Sequence, residues 1–353
     1  MVKSQTTSSN GNLTNKLDDR ILYPGEYLQY RGEDNRTFID KSKGVYLYDK
    51  TGHKMIDGPG GMWNVNVGHG VKEIADAIHE QIRKMPYASP FSESTEIATT
   101  YASRLVKYAP GDLKRVFFTS GGSPAVDSAL RFVMFYNNVR GLKEKKLIIS
   151  RHDAYHGSTY LSASCSGKER DKNNFDFADD IVHHLSSPNP FRKDQNLSDE
   201  EFCDIKVKEL EDKILELGSD KVAAFIAEPI LASGGVIIPP KGYHKKTLEV
   251  CRKHNILYIS DEIVTGFGRL GHIMSSEEHF DVTPDIILLA KGITSGYVPC
   301  GAVVISEALM ADLDNKEKVI FSNGFTDSGH PVAMAAAHAT LDFMENNNLL
   351  DHV

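Results

Sequence analysis

From residue 115 onward the chain alternates short apolar runs with stretches of helical spacing. The apolar runs cover residues 115–119, 146–150, 222–227, 256–260, 286–290 and 302–305. Runs this short and this apolar, bounded by turn residues, predict strands buried on both faces. Helical spacing predicts helices from Ser123 to near Asn137, over 204–217, over 245–254, and from Pro331 to Asn347. Upstream, Val71, Ile74, Ala75, Ile78 and Ile82 mark a helix over 71–85, and a second is expected over 96–108. Residues 45–56 read as two short strands around a Lys50-Thr51-Gly52 turn. The glycine-rich stretch 57–70 that follows these strands is expected to be a loop, with Met62, Trp63, Val65 and Val67 embedded in it. Strands alternating with helices imply an α/β fold with a mostly parallel central sheet flanked by helices. In such sheets ligands bind beyond the carboxyl ends of the strands.

Four of those strand ends carry chemistry. The strand ending at Thr119 leads into Ser120-Gly121-Gly122-Ser123-Pro124. Ser123 reads as the N-cap and Pro124 as the first helical residue, where its missing N–H costs nothing. A glycine-lined helix start with free N–H groups favours an anion such as a phosphate, although an ordinary cap has the same pattern. The strand ending at Ser150 leads to Tyr155-His156-Gly157, where an aromatic ring can wall a pocket. The strand ending at Ser260 delivers Asp261 and Glu262, and partly desolvated acids there need donors or cations. The strand ending at Ala290 delivers Lys291, an amine whose burial would depress its pKa and make it nucleophilic. Together these describe a pocket for a ring bearing a phosphate, a protonatable nitrogen and an aldehyde, which is pyridoxal 5'-phosphate.

From Tyr46 onward the sequence resembles the class III pyridoxal-phosphate-dependent aminotransferases of fold type I, of the omega-amino acid or amine:pyruvate type. The resemblance rests on Ala227-Glu228-Pro229, on the block from Asp261 to Gly271 (DEIVTGFGRLG), on Ala290-Lys291-Gly292 placed shortly after it, and on Gly324 through Thr326 and His330. It implies that Lys291 is the Schiff-base lysine and Asp261 the partner of the ring nitrogen. It implies that Ile263 packs behind the ring and Tyr155 on its other face, with His156 and Glu228 beside the cofactor. Gly122 and Ser123 would hold the phosphate, and Thr326 would reach it from the other subunit of a homodimer with shared sites. Trp63, Phe91 and Tyr155 would form the substrate pocket. The reaction implied is transfer of an amino group from an omega-amino acid or primary amine to a keto acid, with pyruvate as acceptor. Taurine or beta-alanine as donor, and a truncated inactive paralogue acting as a dimer partner, stay open as alternatives. The chain departs from the family at Gly121-Gly122-Ser123-Pro124-Ala125-Val126-Asp127, where relatives carry Glu and Asn.

The resemblance divides the chain into a flexible tail (1–20), an N-terminal segment of a small domain (21–62), a large cofactor-binding domain (63–330) and the start of a C-terminal small-domain segment (331–353). The remainder of that small domain is expected to be absent, either because this is a fragment or because the protein is naturally short.

Composition narrows the partners. The 353 residues carry a net charge of −8, which argues against nucleic acid or an anionic membrane surface as partner. No apolar run is long enough to span a bilayer. The cysteines Cys165, Cys203, Cys251 and Cys300 are unclustered, so no C-x-x-C motif exists and a reducing, cytoplasmic setting is expected. Gly266-x-Gly268-x-x-Gly271 satisfies a dinucleotide-binding pattern, but no amphipathic helix opens after it. His152 and His156 have metal-ligand spacing only if helical, and Gly157 after a strand makes that segment a loop, so no metal is expected.

Overall fold

The structure is a computed structural model that describes residues 20–30, 36–314 and 316–353. The tail expected over 1–20 lies, apart from Arg20, outside the described residues. The chain divides into two compact units after Ile56.

The first unit holds a three-stranded antiparallel sheet of β1 (Ile39–Lys43), β2 (Tyr46–Asp49) and β3 (Lys54–Ile56). Asp49 fixes the turn between β2 and β3. Its Oδ1 accepts from the N–H groups of Thr51 at 2.8 Å and His53 at 2.9 Å, and from the Thr51 hydroxyl at 2.7 Å. That is the local side-chain-to-backbone bonding that makes Asp a turn residue.

The second unit, from Asp57 to Val353, is built on a seven-stranded sheet. Its strands are β4 (Leu113–Thr119), β5 (Leu147–Arg151), β6 (Val182–Leu185), β7 (Val222–Ala227), β8 (Leu257–Asp261), β9 (Ile286–Leu289) and β10 (Gly301–Ser306). The spatial order is β4-β10-β9-β8-β7-β5-β6. Every neighbouring pair is parallel except those of β10, which runs antiparallel to both β9 and β4. The carboxyl ends of the parallel strands therefore share one rim with the amino end of β10, because Gly301 pairs with Thr119.

The continuous apolar runs follow from burial on both faces. In β9, Ile286 and Leu288 face the helix Gly122–Val139 through Val126, Ala129 and Val133. Ile287 and Leu289 face the opposite layer, where Tyr101, Leu105, Met334, Ala337 and Leu341 pack. Phe225 and Tyr258 share a further cluster with Leu210, Ile214 and Cys251 of the helices Asp199–Leu217 and Tyr243–Lys253. Period-two side-chain alternation between two helix layers needs no polar face, so the strands read as unbroken hydrophobic stretches.

The predicted helices form as Lys72–Lys84, Glu96–Leu105, Gly122–Val139, Asp199–Leu217, Tyr243–Lys253 and Pro331–Asn346. The last packs inside the second unit, with Met334, Ala337 and Leu341 in its core. A Ser198/Glu201 capping box starts the helix Asp199–Leu217, with the Glu201 N–H donating to Ser198 Oγ at 3.1 Å and the Ser198 N–H to Glu201 Oε2 at 2.8 Å. The acidic run at 199–201 is therefore a helix start. Among the described residues, the helices Tyr160–Cys165, Ser276–Phe280, Glu307–Asp314 and Leu349–His352 were not anticipated by the spacing, and a short helical turn, Gly60–Trp63, forms inside the stretch expected to be a loop. Among the described residues no helix is long and apolar enough to cross a membrane.

Candidate active site

At the rim shared by those strand ends lies a cavity of about 600 Å³. Gly122, Ser123, Tyr155, His156, Glu228, Asp261, Ile263, Lys291 and Trp63 all line it. Residues separated by more than two hundred positions meet there because the parallel topology stacks the strand ends side by side.

One correction concerns the helix start. The N-cap is Gly121, the helix begins at Gly122, and its first hydrogen bond runs from the Ala125 N–H to the Gly121 oxygen at 3.1 Å. Ser123 is thus the second helical residue, not the cap. Its Oγ instead accepts from the Ser158 N–H at 3.0 Å and ties the helix start to the loop after Tyr155. Pro124 still falls in the first turn, where N–H groups have no intrahelical acceptor. A methyl group on Gly122 would come within 3.0 Å of Ile263 Cδ1, so glycine keeps that part of the cavity open.

Asp261 ends β8 and is 3% exposed. Both carboxylate oxygens are engaged. Oδ2 faces His156 Nδ1 at 2.7 Å and Oδ1 accepts from the Ile263 N–H at 3.1 Å. Because Nδ1 must carry the proton to donate, the neighbour fixes the imidazole tautomer. His156 is held in turn by its own N–H, which donates to Ser166 Oγ at 2.8 Å. The other ring nitrogen, Nε2, is buried without a hydrogen-bond partner among the described residues.

Glu228, 4% exposed, follows β7. Its two oxygens accept from the backbone N–H groups of Tyr155 at 2.9 Å and Ala232 at 3.1 Å. Burial raises its pKa, while the nearby His156 opposes that rise. The fully buried Arg151 donates from Nη2 to the Glu228 carbonyl at 2.7 Å. Glu262, adjacent to Asp261, points away from the cavity into a separate pocket. It accepts from the N–H and hydroxyl of Ser275, at 2.5 and 2.7 Å, and from the N–H and hydroxyl of Ser276, at 3.0 and 2.5 Å. Adjacent strand-end acids face opposite ways, so only Asp261 belongs to the site.

Lys291 follows β9 with φ +44°, a left-handed conformation unusual for a residue with a side chain. Its ammonium makes no hydrogen bond or ion pair among the described residues. Desolvation lowers its pKa below the ordinary lysine value, against the opposing pull of Asp261 and then Glu228. A lowered pKa raises the share of the unprotonated, nucleophilic amine at any given pH.

Two expected site residues are not in this cavity. Phe91 is exposed and lines a separate cavity of about 300 Å³ with Asn323, Gly324 and Phe325. Thr326 is exposed too, and its carbonyl accepts from the Tyr87 hydroxyl at 3.1 Å. Both lie by β4 and the loop 321–330, away from the rim where Lys291 and Asp261 meet.

The sequence reading missed several lining residues: Lys168, Arg170, Ser233, Val298, Pro299 and Cys300. Lys168 follows Gly167, whose backbone is locked onto β5. The Gly167 N–H donates to the Ala154 oxygen at 2.9 Å and its oxygen accepts from the Asp153 N–H at 3.1 Å. A Cβ on Gly167 would lie 2.1 Å from the Arg151 carbonyl oxygen. Gly167→Ala is therefore expected to lower stability by about 1–3 kcal/mol, read from the urea unfolding midpoint. An unchanged midpoint would contradict that packing.

A model of the family described as aminotransferase class-III matches residues 28–353. This chain belongs to the class III aminotransferases. The family works with pyridoxal phosphate. Putrescine–pyruvate aminotransferase of Pseudomonas aeruginosa is 37% identical over 336 residues, which are 95% of this chain and 73% of that protein. Vanillin aminotransferase of Capsicum frutescens is 36% identical, over 97% of this chain and 75% of that one. The mitochondrial gamma-aminobutyrate transaminase 1 of Oryza sativa subsp. indica is 38% identical, over 89% of this chain and 62% of that one. Among solved structures, the omega transaminase of Pseudomonas jessenii in complex with PMP superposes with a TM-score of 0.93 at 35% identity, covering 96% of this chain and 76% of that one. An (S)-enantioselective omega-transaminase from Thermomicrobium roseum gives a TM-score of 0.92 at 36% identity, with coverage of 97% and 76%. The α/β fold expected from the sequence is thus the fold of this family.

Proposed function

We propose that this class III aminotransferase moves an amino group from an omega-amino acid or primary amine to a keto acid, with pyruvate as acceptor and pyridoxal 5'-phosphate as cofactor. The observation that carries this reading is the desolvated amine of Lys291, unpartnered among the described residues, in one cavity with a buried carboxylate and a glycine-opened helix start. The donor set fits the cofactor group by group. An anion suits the free N–H groups where the helix Gly122–Val139 begins, a cationic ring nitrogen suits Asp261, and an aldehyde suits Lys291. Gly122 supplies the space.

When bound, pyridoxal phosphate supplies the electron sink that stabilises a carbanion on the substrate. The remaining roles belong to the chain. Asp261, fixed by His156 and the Ile263 N–H, would partner the ring nitrogen. Ile263 and Tyr155, which line the cavity, would hold the ring, and Trp63 would border the substrate. Glu228 anchors the Tyr155 loop through the Tyr155 N–H. Lys291 Nζ would hold the cofactor through its aldehyde and, once freed, would take up and return the proton as general base and acid. The same reading makes the working unit a homodimer, in which Thr326 serves the cavity of the other subunit.

Incubation of the pyridoxal-phosphate-loaded chain with an amine and pyruvate is expected to produce alanine in step with amine consumption. Absence of alanine, despite cofactor attached at Lys291, would reject transamination and favour a binding-only subunit.

A further inference from the structure

Trp63 lines the cavity from a turn that the backbone resists. Gly60, Gly61, Met62 and Trp63 have consecutive φ values of +56°, +59°, +62° and +60°. Four such residues in a row make one left-handed helical turn, and two of them, Met62 and Trp63, carry side chains that disfavour it. A turn of this kind persists only where its surroundings over-determine it. Within the turn, the Trp63 N–H donates to the Pro59 oxygen, and the Asn64 and Val65 N–H groups to the Gly60 oxygen, each at 2.9 Å. The start of the turn is held by Asp57. Its carbonyl accepts from the Gly60 N–H at 3.0 Å, and its Oδ1 accepts from the Gly61 N–H at 3.0 Å. Its Oδ2 accepts from His69 Nε2 at 2.8 Å. The Gly61 N–H, and after it His69, hold the Asp57 carboxyl below the usual carboxylate range, so it stays a charged acceptor.

His69 belongs to a segment fastened to the backbone that follows Lys291. The Val67 N–H donates to Ser295 Oγ at 3.0 Å. The Tyr297 hydroxyl accepts from the Val71 N–H at 2.7 Å and donates to the Gly68 oxygen at 2.9 Å. Asn66 Nδ2 donates to the Phe267 oxygen at 2.8 Å, and a Cβ on Gly292 would lie 2.4 Å from that nitrogen. His69 is therefore mounted on fixed backbone, and its bond to Asp57 passes that fixity to the turn.

We propose that Asp57 and His69 form a clamp that positions Trp63 at the cavity wall, and that breaking the pair lets the turn relax and carries the indole off the wall. The side chains of Met62 and Trp63 favour right-handed or extended backbone, so the turn holds its shape against a standing bias. A charge-assisted hydrogen bond between two largely covered side chains, 6% exposed at Asp57 and 19% at His69, opposes that bias. Neither residue lines the cavity, so both are positioning residues. The clamp is a property of the wall itself, whereas its effect on an amine donor rests on the transaminase reading.

Trp63 is the one tryptophan of the chain, so indole fluorescence reports on this wall alone. His69→Leu removes the donor and should favour the relaxed turn by about ten- to hundredfold, the worth of a hydrogen bond to a charged group. Acrylamide should then quench Trp63 more strongly, and its emission should move to longer wavelength, in the full chain both before and after loading with pyridoxal phosphate. Relief of the turn offsets part of the lost bond, so the urea midpoint should change little. His69→Gln, whose amide can still donate to Asp57, should quench like the unmodified chain. With n-butylamine and pyruvate, His69→Leu should raise KM by about tenfold and leave kcat nearly unchanged, because Lys291 and Asp261 stay in place. Quenching in His69→Leu equal to that of the unmodified chain, or raised equally in His69→Gln, would overturn the clamp. If His69→Leu fails to fold, Asp57→Asn carries the test. It keeps an oxygen for the Gly61 N–H while losing the charge, and should strengthen quenching by a smaller factor. No change there would also overturn the clamp. Stronger quenching in His69→Leu, with no turnover in any chain, supports the clamp and rejects transamination. Turnover with unmoved quenching rejects the clamp and leaves transamination standing.

Discussion

Lys291→Met should lower transamination by about ten-thousandfold or more, because one side chain is both the attachment point for the cofactor and the proton carrier. Methionine nearly matches the lysine stem in volume, so the apolar neighbours of β9 keep their packing. The loss should therefore appear in chemistry and not in the unfolding midpoint. A second readout is independent of turnover. The native chain, supplemented with pyridoxal phosphate and reduced with borohydride, should gain mass on the peptide containing Lys291, and the variant should gain none. Mass gained at another lysine, or retained activity in Lys291→Met, would displace Lys291 from the centre of the mechanism.

Asp261→Asn should reduce turnover by about a hundred- to thousandfold, the scale of removing one preorganised charged group from a desolvated site. Asparagine keeps its one oxygen toward the Ile263 N–H and turns its NH2 donor to His156 Nδ1 in the other tautomer, so the shape persists while the charge disappears. The change also carries a sign at Lys291. Asp261 favours the protonated amine and so pulls the Lys291 pKa upward against the stronger effect of desolvation. Without that charge the pKa falls further, and the amine becomes nucleophilic at lower pH. In the cofactor-free chain, the rate of acetic anhydride labelling of Lys291, followed by peptide mass, should rise at a lower pH than for exposed lysines. In Asp261→Asn the rise should move lower still. Glu228→Gln should act in the same direction more weakly, since Glu228 is the lesser of the two opposing charges. A shift to higher pH would mean that Asp261 does not act on Lys291 as a bare charge.

What was legible in the chain followed from local chemistry. Unbroken apolar runs such as 286–290 required burial on both faces, and turn residues marked where each run stopped. Lys291, Asp261 and Gly122 each stand at such a stop, and a polar or conformationally free residue there is visible without coordinates. The sequence by itself therefore determined the α/β alternation and the strand-end members of the site.

Other features were not local. Nothing in the run 302–305 reveals its direction, yet the antiparallel placement of β10 brings Cys300, Pro299 and Val298 to the rim. Ser123 looks like a cap by residue type, but the backbone places the cap at Gly121 and turns the hydroxyl to Ser158. Asp261 and Glu262 are equivalent on paper, and strand pleating sends one into the cavity and the other to Ser275 and Ser276. Lys168 and Arg170 stand at no strand end, and only the locking of Gly167 against β5 carries them to the cavity wall. Tertiary structure alone decided these points, because each depends on which distant backbone lies alongside. Pairing direction, pleat phase and loop docking are settled by long-range packing and hydrogen bonding, on which no short window of sequence reports.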